Sequence, residues 1–177
     1  KILIINHAGG SPYHGPNMRW YNLGLALKKE NIEVSIVSSS YFHKYYSMPD
    51  SPSQLHVEVI DGLRYNWVKT RKYCVGSFFQ IFNQFEFVIK CYIHKNKIME
   101  FKPDIVFATS PHPFVFLPAN SIAKKLNIPV IYEVRDLWPE LLIQLSSKLK
   151  FHPYIWLLRL MERYAIRTAD AVVSVKE

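Results

Sequence analysis

Five short runs rich in apolar residues, at 2–6, 33–38, 104–109, 130–135 and 171–175, are separated by stretches long enough to hold at least one helix each. The first, Ile-Leu-Ile-Ile-Asn, lacks polar alternation, which is the pattern of a strand covered on both faces and hence of a parallel sheet. Parallel neighbours cannot be joined by a tight turn. Each pair needs a crossover, and the segments at 17–30, 77–101, 114–126, 139–149 and 153–168 read as helices able to supply it. The expected fold is therefore α/β: a Rossmann-like, doubly wound, mostly parallel sheet with helices on both faces. A β-hairpin insertion is expected at 56–60 and 63–68, because Asp61-Gly62 between them suits the positive φ of a type I′ turn. Asn31 should close the first helix. The segment 77–101 reads as one continuous amphipathic helix whose Phe78, Phe82, Phe85, Ile89, Tyr92 and Met99 recur at core-facing spacing.

With 49% hydrophobic and 20% charged residues, the chain of 177 residues has the composition of one packed domain and not of a disordered tail. Its longest apolar stretches are broken by Pro111, Pro113 and Pro118 or by Gln80, Asn83 and Gln84, so no membrane span is expected, and no segment reads as a signal peptide. The net charge of +8 admits an anionic partner. It is concentrated between Arg64 and Lys102, with eight basic and two acidic residues, and between Lys148 and Arg167, with five and one. On the long helix, Phe79 and Phe87 are expected near the face of Lys90, His94 and Lys97, an aromatic and basic combination that suits an anionic membrane surface. The alternative is that Phe87 tucks under a neighbouring loop and the lysines are merely solvated. A nucleic-acid partner is not expected, because no recognised binding motif accompanies the charge.

In an open α/β sheet the ligand site lies at the carboxyl ends of the strands. There the sequence places His7, Gly9 and Gly10 after the first strand, Ser38 to Ser40 after the second, Ser110 and His112 after the third core strand, and Arg135 with Asp136 after the fourth. Gly9-Gly10 would let backbone amides approach a phosphate, or simply serve the strand-to-helix turn. GxGxxG is absent and no acid follows the second strand to hold a ribose, which argues against NAD and FAD. Asp136, in the turn ahead of Pro139, is the foremost candidate for chemistry, with a structural ion pair or a helix cap as the other reading. The histidines share no ligand spacing, Cys74 and Cys91 form no CxxC, and GxSxG does not occur. Neither a metal nor an organic cofactor is expected, and serine-hydrolase chemistry lacks its signature.

Three stretches, His-Ala-Gly-Gly-Ser at 7–11, Gly-Pro-Asn-Met-Arg-Trp-Tyr-Asn-Leu-Gly-Leu-Ala-Leu at 15–27 and Glu-Val-Arg-Asp-Leu-Trp-Pro-Glu at 133–140, together resemble the amino-terminal half of a family 4 glycosyltransferase of the GT-B fold. The likeness is greatest to bacterial surface-polysaccharide enzymes of the fucosamine-transferase type, and it runs along the whole chain. It implies a retaining, metal-independent transferase working in capsule, O-antigen or exopolysaccharide synthesis, cytoplasmic and peripheral on the inner face of the membrane. Residues 1–177 would be its acceptor-binding domain, inactive alone, with the nucleotide-sugar donor held mainly by a carboxyl-terminal domain outside this chain. Gly9 and Gly10 would approach the donor diphosphate, and Asp136 would lie near the reacting sugar. His7, Arg19, Tyr21, His43, Ser110, His112 and Arg135, with Trp20 beside them, would face a glycan acceptor carried on a lipid diphosphate. Many relatives carry His before the acid where this chain has Arg135, so the resemblance implies no histidine role there. A non-catalytic Rossmann-like module that binds a phosphorylated ligand or an anionic membrane is the alternative.

Overall fold

The computed structural model describes residues 1–136, 139–145 and 150–174. Its seven strands, β1 (Ile2–Ile5), β2 (Val34–Ser39), β3 (Leu55–Ile60), β4 (Leu63–Val68), β5 (Ile105–Thr109), β6 (Val130–Val134) and β7 (Ala171–Ser174), form one sheet in the order β3-β4-β2-β1-β5-β6-β7. Every pairing is parallel except β3 with β4. The hairpin thus extends the main sheet, because β4 pairs in parallel with β2 and leaves β3 as the antiparallel edge. Asp61 and Gly62 both have positive φ, 51° and 82°, as a type I′ turn requires.

The helices are α1 (Arg19–Lys29), α2 (Phe78–Ile93), α3 (Lys95–Met99), α4 (Phe116–Leu126, entered through a 3-10 turn at Pro113–Val115), α5 (Glu140–Leu145) and α6 (Pro153–Thr168). Asn31, at φ 59°, closes α1 as expected, and the amide of Ile32 reaches back to the carbonyl of Leu27. Pro118 is tolerated because it stands in the first turn of α4, where its missing N–H has no helical partner to lose. The part of the 139–149 helix beyond Leu145, and the end of the last strand at Val175, lie outside the described residues.

Alternate residues of β1 point to opposite cores, as the two-residue period of a strand dictates. Leu3 and Ile5 join the cluster under α2, α4 and α6, with Phe87, Phe116, Ile122 and Leu158, whereas Ile4 joins Trp20, Ile36, Tyr65 and Trp67 on the α1 face. The chain winds from β1 outward to β2 on one face, then returns to β5 and continues to β7 on the other. The direction of winding reverses between β1 and β5, and a crevice opens at the carboxyl ends of those two strands.

Two expectations about the long helix are corrected. The helix breaks at His94, which separates α2 from α3. Its orientation also differs, because α2 turns Asn83, Phe87, Val88 and Cys91 to the core while Phe78, Phe79, Phe82, Ile89 and Ile93 are exposed. Phe87 is fully buried, its ring edge-on to His7 at 5.0 Å, so it belongs to the core and not to any membrane-facing surface. Phe79 is 58% exposed, and Lys97 is exposed one turn beyond the break. Lys90 is paired with Glu86 at 2.9 Å and donates to the carbonyl of Lys69.

Candidate functional site

The crevice between the ends of β1 and β5 is a cleft of about 260 Å³ lined, among the described residues, by His7, Asn17, His43, Lys44, Tyr73 and Ser110 together with Gln80, Gln84, Arg135 and Asp136. Topology explains the assembly. His7 leaves β1, Ser110 leaves β5, Arg135 and Asp136 leave β6, and His43 and Lys44 come from the long segment after β2. Ser110 fixes the β6 exit, since its Oγ accepts the amide of Arg135 at 3.0 Å while its own amide donates to the carbonyl of Glu133. His43 is held by a ring contact to Phe42 and a 3.0 Å hydrogen bond between Nδ1 and the Tyr73 hydroxyl.

His7 is nearly inaccessible and is oriented by Asn83 of α2. The amide nitrogen of Asn83 donates to Thr70 Oγ1 (3.0 Å) and to the carbonyl of Arg71 (2.6 Å), which leaves its oxygen as an acceptor. His7 Nε2, 2.7 Å from that oxygen, therefore carries the proton. Burial is the main cause that lowers the His7 pKa to about 4, against the Asn83 hydrogen bond and with a smaller contribution from His43. His112 packs behind it, ring centroids 4.9 Å apart, 1% exposed and, among the described residues, with no hydrogen-bond partner for either ring nitrogen. Burial, and then His7, hold its pKa well below the ordinary histidine range. The two imidazoles are neutral at neutral pH, so positive charge at the cleft comes from Arg135 and Lys44.

The double glycine behaves differently from expectation. Gly9 and Gly10 are buried, and their amides already donate to the carbonyls of Asn6 (3.3 Å) and Asn17 (3.1 Å). Their carbonyls accept from the hydroxyls of Tyr45 and Tyr65. Glycine is required at position 10 because a Cβ there would stand 2.7 Å from the Gly15 carbonyl oxygen, so the close approach is of the loop to itself. The bend still reaches the same crevice as Asp136, through Asn17, but it presents no open amide cradle to a diphosphate.

Tyr21 is also placed away from the cleft. Its hydroxyl donates to Asp61 at 2.5 Å, in the turn at the opposite, amino ends of the parallel strands. Trp20 is 3% exposed in the α1-side core. Arg19 is committed to Glu133, with Nε and Nη2 at 3.0 and 2.8 Å from Oε1. Glu133 is 2% exposed and takes a further 2.6 Å bond from Thr109, so this carboxylate joins α1 to β5 and β6 just behind the cleft. Sequence reasoning missed Glu133 and Asn83 as organisers. Each is a polar residue amid apolar neighbours on a buried element, and a buried charge or amide demands partners. Asn17, Lys44, Tyr73, Gln80 and Gln84 were also missed, since loops and a helix flank bring them in without any motif.

Among the described residues no group of three or more His, Cys, Asp or Glu side chains could hold a metal ion, and no helix is long and apolar enough to cross a membrane.

Residues 14–177 match the family described as glycosyl transferase 4-like domain. The chain belongs to that family. Among solved structures, this glycosyl transferase 4-like domain is similar to sucrose-phosphate synthase from Thermosynechococcus elongatus, with a TM-score of 0.64 and 14% identity over 97% of this chain and 41% of that one. It is also similar to UDP-GlcNAc 2-epimerase from Methanocaldococcus jannaschii, with a TM-score of 0.51 and 16% identity over 99% of this chain and 39% of that one. At such identities the likeness concerns the fold alone, a Rossmann-like domain of the kind that forms half of a GT-B fold. The glycosyl transferase 4-like domain spans about two-fifths of the length of either structure. No curated protein matches it significantly.

Proposed function

We propose that this chain is the acceptor-binding half of a retaining glycosyltransferase that moves a sugar from a nucleotide-sugar donor to a glycan carried on a lipid diphosphate, in the synthesis of a cell-surface polysaccharide. A second, donor-binding domain completes the enzyme in this reading, and the assembly sits peripherally on an anionic membrane. The observation that carries the proposal is the cleft at the winding reversal, whose lining brings Asp136 together with Arg135, Lys44 and His43. Glycosyl transfer builds oxocarbenium-like positive charge on the sugar and negative charge on the departing diphosphate. A carboxylate serves the first and cations the second. With the Gly9 and Gly10 amides engaged inside their own loop, the departing diphosphate is met by cations or amides of the donor-binding domain in this reading, and Arg135 and Lys44 are left for the phosphate of the acceptor.

The test uses the full-length enzyme with nucleotide-sugars and a lipid-diphosphate glycan. Asp136→Asn should lower kcat on the order of a hundredfold or more with the thermal midpoint unchanged. Wild-type turnover by that variant would remove the acid from the mechanism.

A further inference from the structure

A second cavity, of about 430 Å³, opens between the first turns of α2 and the start of α6. Its lining is mainly apolar: Phe78 and Ile81 of α2, Leu142 of α5, and Tyr154 and Ile155 of α6. A 2.5 Å hydrogen bond from the Tyr154 hydroxyl to Gln84 Oε1 ties the two long helices together across it. Gln80 and Gln84 line this groove and also the polar cleft, so the two spaces share one wall. Side by side they offer an apolar trough and a cation-bearing head site, each near the size range of small-molecule pockets. Exposed apolar side chains stand on and next to the lining segments. Phe78 is 66% exposed, and Val75 and Phe151, close in sequence to lining residues, are 67% and 89% exposed.

We propose that the groove between α2 and α6 is the hydrocarbon subsite of the acceptor, holding the alkyl or polyprenyl chain of an amphiphile whose phosphate end lies in the cleft at Arg135 and Lys44. The inference rests on the reading of the cleft as an acceptor site and deepens it: the acceptor is recognised by its lipid as well as by its head. The adjacency of the two spaces, with Gln80 and Gln84 common to both, selects the occupant. A soluble glycan would leave the trough in contact with water, and a free fatty chain would leave the cations unmatched, whereas an anionic amphiphile satisfies both.

The test measures binding of dodecyl phosphate, below its micelle concentration, and of butyl phosphate to the full-length protein by calorimetry. Dodecyl phosphate should bind at least tenfold more tightly. Ile81→Asp and Phe78→Asp should abolish that preference, and Arg135→Ala should weaken both ligands alike. Ile93→Ser, an exposed apolar residue of α2 outside the groove, should change nothing. Equal affinity for the two phosphates, or an Ile93→Ser effect as large as that of Ile81→Asp, overturns the assignment, the latter because it marks general adsorption to the helix. Phe78 is exposed and its replacement leaves the core intact, so Phe78→Asp decides the matter if Ile81→Asp lowers the thermal midpoint. Transfer to a lipid-linked acceptor with kcat and KM unchanged in Phe78→Asp would sink the groove alone, whereas chain-length-dependent binding without any transfer would sink the transferase reading alone.

Discussion

His7 and His112 show how much burial alone can set. Each ring lies against the other and against apolar neighbours, and each has its pKa lowered by desolvation, His7 to about 4. The unfolded chain binds a proton at each near the ordinary value of 6.5, whereas the folded chain does not. Their contribution to stability is therefore complete above that value and declines as pH falls toward the folded value. For His7 the decline amounts to about 3 kcal/mol by pH 4. Denaturant titrations between neutral and acid pH should show it, and His112→Leu should flatten the profile with little loss at neutral pH. The placement of His7, Ser110, Arg135 and Asp136 was legible in the sequence because each directly follows an expected parallel strand, and parallel strands all end at one edge of the sheet. The partners of Arg19 and Tyr21 were not, because Glu133 lies 114 residues from the first and Asp61 lies 40 from the second, and no local pattern encodes such pairings.

On α2 the sequence carries apolar residues on both sides of the helix, and periodicity cannot tell which side meets the sheet. The side of Phe78, Phe82 and Ile89 has the larger side chains, yet the sheet receives Asn83, Phe87, Val88 and Cys91. The reason is the hydrogen-bonded junction at Asn83, which needs Thr70 and His7 and so faces inward with its neighbours at helical spacing. Two phenylalanines on one helix should therefore respond oppositely. Phe87→Ala should destabilise the domain by about 3–5 kcal/mol in urea unfolding, as for other fully buried aromatic truncations. Phe79→Ser should leave stability within about 0.5 kcal/mol and reduce co-sedimentation with anionic liposomes. The hairpin was legible to within one residue, β3 starting at Leu55 and not at His56, because its turn chemistry is local. Its pairing with β2 was not, since a strand's neighbour is a property of the sheet.

At the scale of the whole molecule, the order β3-β4-β2-β1-β5-β6-β7 puts every loop with functional content on one edge and leaves the Asp61 turn on the other. The net charge of +8 adds a long-range attraction to anionic surfaces that is independent of any particular contact. Retention on phosphatidylglycerol vesicles should consequently fall as ionic strength is raised from about 0.05 M to about 0.5 M, because screening shortens the reach of that field. Retention unaffected by salt would assign membrane attachment to the exposed apolar residues of α2 alone. The Asn83 side chain, finally, grips the exit of β1 through His7 and the exit of β4 through Thr70 and Arg71 while riding on the helix that walls the lipid groove. An occupant that displaces that helix should therefore disturb the His7–Asn83 hydrogen bond, and the His7 ring resonance is the expected gauge of whether the neighbouring trough is filled.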